Sequence, residues 1–274
     1  MFTHLQEAVS LLKQDHLFES CIAVQRLIVD VHKENRNYAA MSSVFGDLQN
    51  LSNEILTSNA SNSRLFSSFY LVSFFGQHFG NLDKAQFIYK ERQHVRLADI
   101  SNRLKEQYAS KFGTCNTLAS SANTETLDPN IPHIMVLAVK PYLTPEELTS
   151  KDRQSNFEKQ FNIKRFIFET PMTTIPGKKY SDEITEQAKK KTIIETEYPF
   201  PFVIKRLRVI SQTSEILSPI QTAIELIEDR CRVTLQEVES IPPNSKTLQI
   251  ILQGSVLLRK FFFIFFFHLY KNVN

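Results

Sequence analysis

Histidine and cysteine are the residue types here that could hold a transition metal, and their spacing does not gather them. His4, His16, His32, His78, His94, His133 and His268 form no HExxH pair, and they do not cluster with Cys21, Cys115 or Cys231, so no metal site is expected. Two adjacent carboxylate pairs, Glu146-Glu147 and Asp182-Glu183, could in principle exchange protons. Both sit in charged, loop-like stretches and read more simply as solvated loop or helix-start charges. The chain has no P-loop, no GxGxxG and no GxSxG elbow, so no catalytic residue and no cofactor is expected. Lys189-Lys-Lys191 with Arg206 and Arg208 could meet anionic lipid or an acidic partner, or could simply be a solvated strand face. The aromatic runs at residues 66–75 and 86–90 could stack bases. Their alternation and a net charge of only +3 point instead to core packing, so no nucleic acid partner is expected.

The elements that must carry these residues alternate between helical and strand patterns. Phe18, Cys21, Ile22, Gln25, Ile28 and Val31 follow helical spacing, as do Met41, Val44, Phe45, Leu48, Leu51 and Ile55. Residues 34–37 break the two runs, which predicts an αα-hairpin within residues 4–57. Residues 57–63 are a Ser/Asn loop. Two aromatic strands follow, then a helix over 97–112 with Leu97, Ile100, Leu104 and Tyr108 as its stripe and Gly113 as its stop. The polar stretch 114–132 reads as a long surface loop, 133–139 as a strand and 145–161 as charged and partly helical. Strand runs are expected at 165–169, 191–197 and 202–211, joined by short connections and therefore antiparallel. In the third, Leu207 and Val209 share one face while Arg206 and Arg208 share the other. Ser218 and Pro219 then open a helix carrying Ile220, Ala223, Ile224 and Ile227, which is expected to run to about Val238. Ser245 caps a last helix.

The bulk numbers agree with a folded chain. There are 274 residues, 42% hydrophobic and 22% charged, enough for one large or two modest domains. Three scattered cysteines and no basic-then-apolar leader suggest reduced thiols and a cytoplasmic location.

The phrases FNIKRFIFETP (161–171), KKKTIIETEYPFPFVIKRLRVI (189–210) and LSPIQTAIELI (217–227), with FYLVSFFG (69–76) and FIYKE (87–91), resemble the DOCKER domain. This domain, also called DOCK homology region two, belongs to the DOCK exchange factors, and the likeness is nearest to their zizimin and zizimin-related branches. It covers residues 65–256. The resemblance implies an α+β fold with an N-terminal helical lobe, a central antiparallel β lobe and a C-terminal helical lobe. It also implies a homodimer formed through the first lobe, here Met41, Val44, Phe45 and Leu48, and a Rho-family GTPase partner, Rac or Cdc42. On the matching phrases, Pro219, Ile220, Ala223, Ile224, Gln253 and Gly254 would meet the GTPase. Membrane contact would be indirect or weak. The expected division is 1–64, 65–217, a partial helical lobe at 218–256 and a tail at 257–274.

After the shared QGSV (253–256) the likeness stops. Family members continue into a Val-Asn-x-Gly-Pro segment whose valine enters the nucleotide site and disfavours magnesium. This chain reads LLRKFFFIFFFHLYKNVN instead, and no residue matches that valine. The apolar run of the tail is far shorter than the roughly 20 residues of a membrane span. It suits either an interfacial anchor or translated non-family sequence, and the sharp edge after Val256 favours the latter. The expectation is therefore a fragment of an exchange factor, impaired in release. The alternative is a non-catalytic module that dimerises or holds a GTPase.

Overall fold

Residues 2–60 form three helices, α1 (Phe2–Gln14), α2 (Phe18–Glu34) and α3 (Tyr38–Ala60), one more than the expected hairpin. The break at residues 15–17 contains no Gly or Pro and leaves little mark in the sequence. The structure, a computed structural model, describes residues 2–60, 66–92, 94–120, 122, 124–149, 155, 157–175, 186–239 and 245–250. At both helix turns one residue takes a left-handed conformation, His16 at φ 56° and Arg36 at φ 52°. The second turn lies at the expected 34–37 break, where the Asn37 Oδ1 accepts the Ala40 N–H at 3.1 Å and caps α3. Phe18, Cys21 and Leu51 pack at the centre of this bundle, with Leu12, Ile22 and Ile55 around them.

The chain divides into two units. One is Met1–Ser68 with Arg92–His94 and Glu147–Phe161, and the other is Phe69–Glu91 with Val95–Glu146 and Asn162–Asn274. The second is built on seven strands: β1 (Ser67–Phe75), β2 (Gln86–Arg92), β3 (Asn116–Leu118), β4 (His133–Pro141), β5 (Ile163–Thr173), β6 (Gln187–Phe200) and β7 (Arg206–Leu217). Their order is β1-β2-β7-β6-β5-β4-β3, and β1 also pairs with β4, so six strands form a closed circuit. β1 is buried on both faces, which explains its apolar run, broken only by the buried Ser73. Tyr70, Val72 and Phe74 face one core cluster, which includes Ile100, Leu104 and Tyr108 of α4 (Leu97–Phe112). Phe69 and Leu71 face a second cluster with Phe166, Ile194 and Phe200.

α4 has the bounds its pattern implies. The Asp99 carboxylate accepts the Arg96 N–H at 2.8 Å at its start, and Gly113 ends it at φ 86°. Leu97, expected on the buried stripe, is 43% exposed because the helix rests on the sheet from Ile100 onward. Gly76 follows β1 at φ 121°, and a Cβ there would meet the Ile131 carbonyl oxygen at 2.8 Å, so only glycine fits.

The strand block pairs antiparallel, with different bounds. β5 and β6 extend past the expected runs into mostly polar positions, because ladder pairs such as Thr170↔Lys190 and Thr173↔Gln187 are held by the backbone, with Met172↔Ala188 the apolar pair between them. β7 starts four residues later than expected, and residues 202–205 turn rather than pair as a strand. The expected faces of β7 are present: Leu207 is buried and Val209 packs beside it, while Arg206 and Arg208 are exposed. The stretch 114–132 is not only loop, since β3 lies within it and pairs parallel to β4. That pairing is the one exception to the antiparallel pattern among the described strands. A short helix, α5 (Pro145–Thr149), falls in the charged region expected to be partly helical, and α6 (Pro219–Glu239) follows β7. Residues 245–250 are helical, as Ser245 suggested.

Candidate functional site

The S-P-I-Q sequence at 218–221 starts α6 by local chemistry. The Gln221 side-chain oxygen accepts the Ser218 N–H at 2.9 Å, the Ser218 hydroxyl accepts the Gln221 N–H at 3.4 Å, and Pro219 occupies the first helical position. Ile220 and Ile224 then fall one turn apart on the outward side, 48% and 43% exposed. Pro219 and Ala223 are half-buried beside them. Four of the six candidate GTPase-facing residues therefore come together on the first two turns of one helix. Gln253 and Gly254 lie outside the described residues, as do Asp182 and Glu183 and the whole Phe-rich tail.

The other side of α6 is held by charge. Glu225 accepts hydrogen bonds from Lys191 at 2.8 Å and from Lys189 at 3.2 Å, and Lys189 also reaches Glu169 at 3.1 Å. Partial burial pushes the Glu225 carboxyl up, but the two lysines outweigh it and leave the group below its ordinary value. Burial pushes Lys191 down, and the Glu225 carboxylate more than offsets that. The Lys189-Lys-Lys191 run thus anchors α6 to β6 with two of its three members. Nothing in the sequence flags this clamp, because its partners lie 34 and 36 residues apart.

Apolar exposure continues along the helix and the neighbouring strand. Leu235 is 61% exposed, Val238 56% and Ile216 64%. An exposed apolar surface of this extent marks a place where another surface docks. It contains no reacting group. The cleft between the start of α4, β3–β4 and β5 has a volume of about 580 Å³, and its one charged lining residue is Glu169, held by Lys189. Cys21 and Cys115 are buried, which pushes both thiols up, and Cys231 is exposed and unbonded.

The dimerisation candidates on α3 separate. Val44 is 8% exposed and belongs to the inside of the bundle, Met41 and Leu48 are half-buried, and Phe45 is 50% exposed. Tyr38 and Leu56, 66% and 69% exposed, stand seven residues before and eleven after Phe45, which places all three on one helical face. Of the four residues expected at a dimer contact, Phe45 is the one that lies on this outward face.

Comparison with known proteins matches two stretches of the chain. Residues 1–57 match the family described as "DHR-2, Lobe A" and residues 119–199 match "DHR-2, Lobe B". Dedicator of cytokinesis protein 6 of Mus musculus is 33% identical over 256 residues, 92% of this chain and 12% of the relative. Dedicator of cytokinesis protein 8 of Homo sapiens gives the same figures, 33% over 256 residues, 92% and 12%. Guanine nucleotide exchange factor SPIKE 1 of Arabidopsis thaliana is 28% identical over 274 residues, 93% of this chain and 15% of the relative. The chain thus spans a small part of the length of the relatives it matches. The likeness also reaches the first helices, upstream of the 65–256 span expected from the sequence phrases.

Proposed function

The chain belongs to the DHR-2 (DOCKER) family, and from that premise we propose that it is part of a guanine nucleotide exchange factor that docks a Rho-family GTPase, Rac or Cdc42, on α6. The observation that carries the proposal is the pairing of an exposed Ile220/Ile224 face with a rigid mount: a side-chain cap at Ser218 and the Glu225 clamp on the opposite side. Such a protein acts without covalent chemistry. It binds the empty GTPase more tightly than the loaded one, and by linkage it weakens nucleotide by the same factor.

Binding tests this directly. Immobilised nucleotide-free Rac and Cdc42 should capture the chain with a micromolar Kd, and Ile220→Asp with Ile224→Asp should weaken capture by about tenfold or more. Both positions are exposed, so the fold should survive, as near-ultraviolet circular dichroism would verify. Absence of binding to either GTPase, or equal binding by the double variant, would remove the basis for this reading.

The departure of residues 257–272 from the family pattern motivates a second reading, in which the chain holds the GTPase without emptying it. The two readings share α6 and differ in what release assays show. We also propose that the protein is a homodimer through the outward face of α3. Light scattering should give a mass twice the 31.7 kDa of the chain. Phe45→Asp should return it to the monomer mass, because a carboxylate at the centre of an apolar contact leaves a buried, unpaired charge. A monomer before substitution would contradict the proposal.

A further inference from the structure

We propose that the turn between β6 and β7 is a membrane-contact tip that seats on an anionic phospholipid surface. The base of the turn is firmly held. Phe200 is 1% exposed in the core, and the Lys90 N–H donates to the Lys205 carbonyl at 2.8 Å. Above that base the rings of Tyr198 and Phe202 stack, with centroids 4.7 Å apart and planes within 8°. Beyond them, Val203 is 94% exposed and Ile204 54% exposed. Two β-branched apolar side chains at a strand turn, carried on a stacked aromatic pair, gain nothing from folding in that position. Their favourable environment is one that the folded unit does not supply.

The charges around the tip select the surface. Lys205, Arg206 and Arg208 follow it directly and all three are exposed. Arg206 is set in place by the Phe87 ring, 5.3 Å away, and by a hydrogen bond to the Tyr89 hydroxyl at 3.2 Å. Glu197 is the exposed acid beside the tip, whereas Glu91 on the neighbouring strand is taken up by Arg103. An apolar point inside a basic collar matches an anionic bilayer: the point enters the headgroup boundary and the collar meets the lipid charges. Tyr198 adds an amphipathic ring of the kind that settles at that depth. Among the described residues no helix is long and apolar enough to cross a membrane, so this contact would be peripheral. The start of α6 is at the other end of β7, twelve residues away. At about 3.3 Å per residue that is roughly 40 Å, so the tip is not a continuation of the Ile220/Ile224 face.

The chain contains no tryptophan, so Val203→Trp would be its sole indole reporter. With vesicles of phosphatidylcholine plus phosphatidylserine, its emission should move to the blue and be quenched by lipids brominated on the acyl chains. Phosphatidylcholine vesicles alone should give neither change. In sedimentation, Val203→Asp with Ile204→Asp should weaken binding to the anionic vesicles by about tenfold, and added salt should weaken binding of the unsubstituted chain. The Phe-rich tail is common to every variant, so the difference reports the tip. An unmoved emission spectrum with anionic vesicles would overturn the proposal. So would equal sedimentation of the double variant. A blue shift on adding nucleotide-free Rac without lipid, in place of one with vesicles, would reassign the tip to a protein contact.

Discussion

Release of a fluorescent GDP analogue from Rac or Cdc42 is expected to stay within about twofold of its spontaneous rate when this chain is added. A version whose residues 257–274 are replaced by a family-like continuation with Val-Asn-x-Gly-Pro should accelerate release by about a thousandfold, equivalent to roughly 4 kcal/mol of barrier. The reasoning separates binding from release. The Ile220/Ile224 face and the β unit offer a docking surface, and docking that is equally strong to loaded and empty GTPase shifts nothing. Release needs contacts that favour the empty state, and residues 257–272, which directly follow the shared QGSV, depart from the family pattern that would supply the valine acting on magnesium. Rapid release by the chain as it stands would show that the differential contact lies elsewhere, with α6 and β7 the first places to look. Failure of the restored version would count against the exchange-factor reading itself, even if binding were strong.

α4 was legible in the sequence because every signal at 97–112 agreed: an acidic first turn, a stripe at i, i+4 spacing and a glycine stop. The turn at 202–205 was not, because Phe202, Val203 and Ile204 have the composition of a strand. β-propensity reflects fit to a half-buried pleated surface, and at Val203 no such surface exists. The same limit applies in reverse to residues 212–215, which are polar and exposed yet paired along β6 by the backbone ladder and a 3.2 Å contact between the Thr192 and Ser214 hydroxyls. β3 escaped notice because three residues carry no period. At the candidate site, the cap and the Ile220/Ile224 face could be read from local spacing, whereas the Glu225 clamp depends on β6 and α6 meeting in space. Local rules show which face of an element is apolar. They do not show how far that face is covered within its own unit: of the four residues expected at a dimer contact, Val44 is 8% exposed and Phe45 50%.

The largest stability effect is expected from Phe74→Ala. Phe74 is fully buried on β1, with the rings of Phe79, Tyr108 and Phe87 at 5.1, 5.4 and 6.1 Å. Its strand pairs with β4 at Ile134, and its carbonyl accepts the Lys84 N–H at 2.8 Å, so the backbone is fixed and cannot collapse into the space left behind. Removing the ring forfeits both the transfer energy and the surrounding aromatic contacts, which predicts a loss of about 3–5 kcal/mol. Tyr70, Tyr89 and Tyr108 belong to the same cluster, so near-ultraviolet circular dichroism during urea unfolding reports this unit directly. The midpoint should fall with little change in slope, since the surface exposed on unfolding is nearly the same. Phe45→Ala, on the exposed face of α3, should leave that transition within about 0.5 kcal/mol. A loss below about 1 kcal/mol at Phe74 would mean that the aromatic cluster is loosely packed. In that case α4 would not be fixed against β1, and the closed circuit of strands would lose the element that covers it.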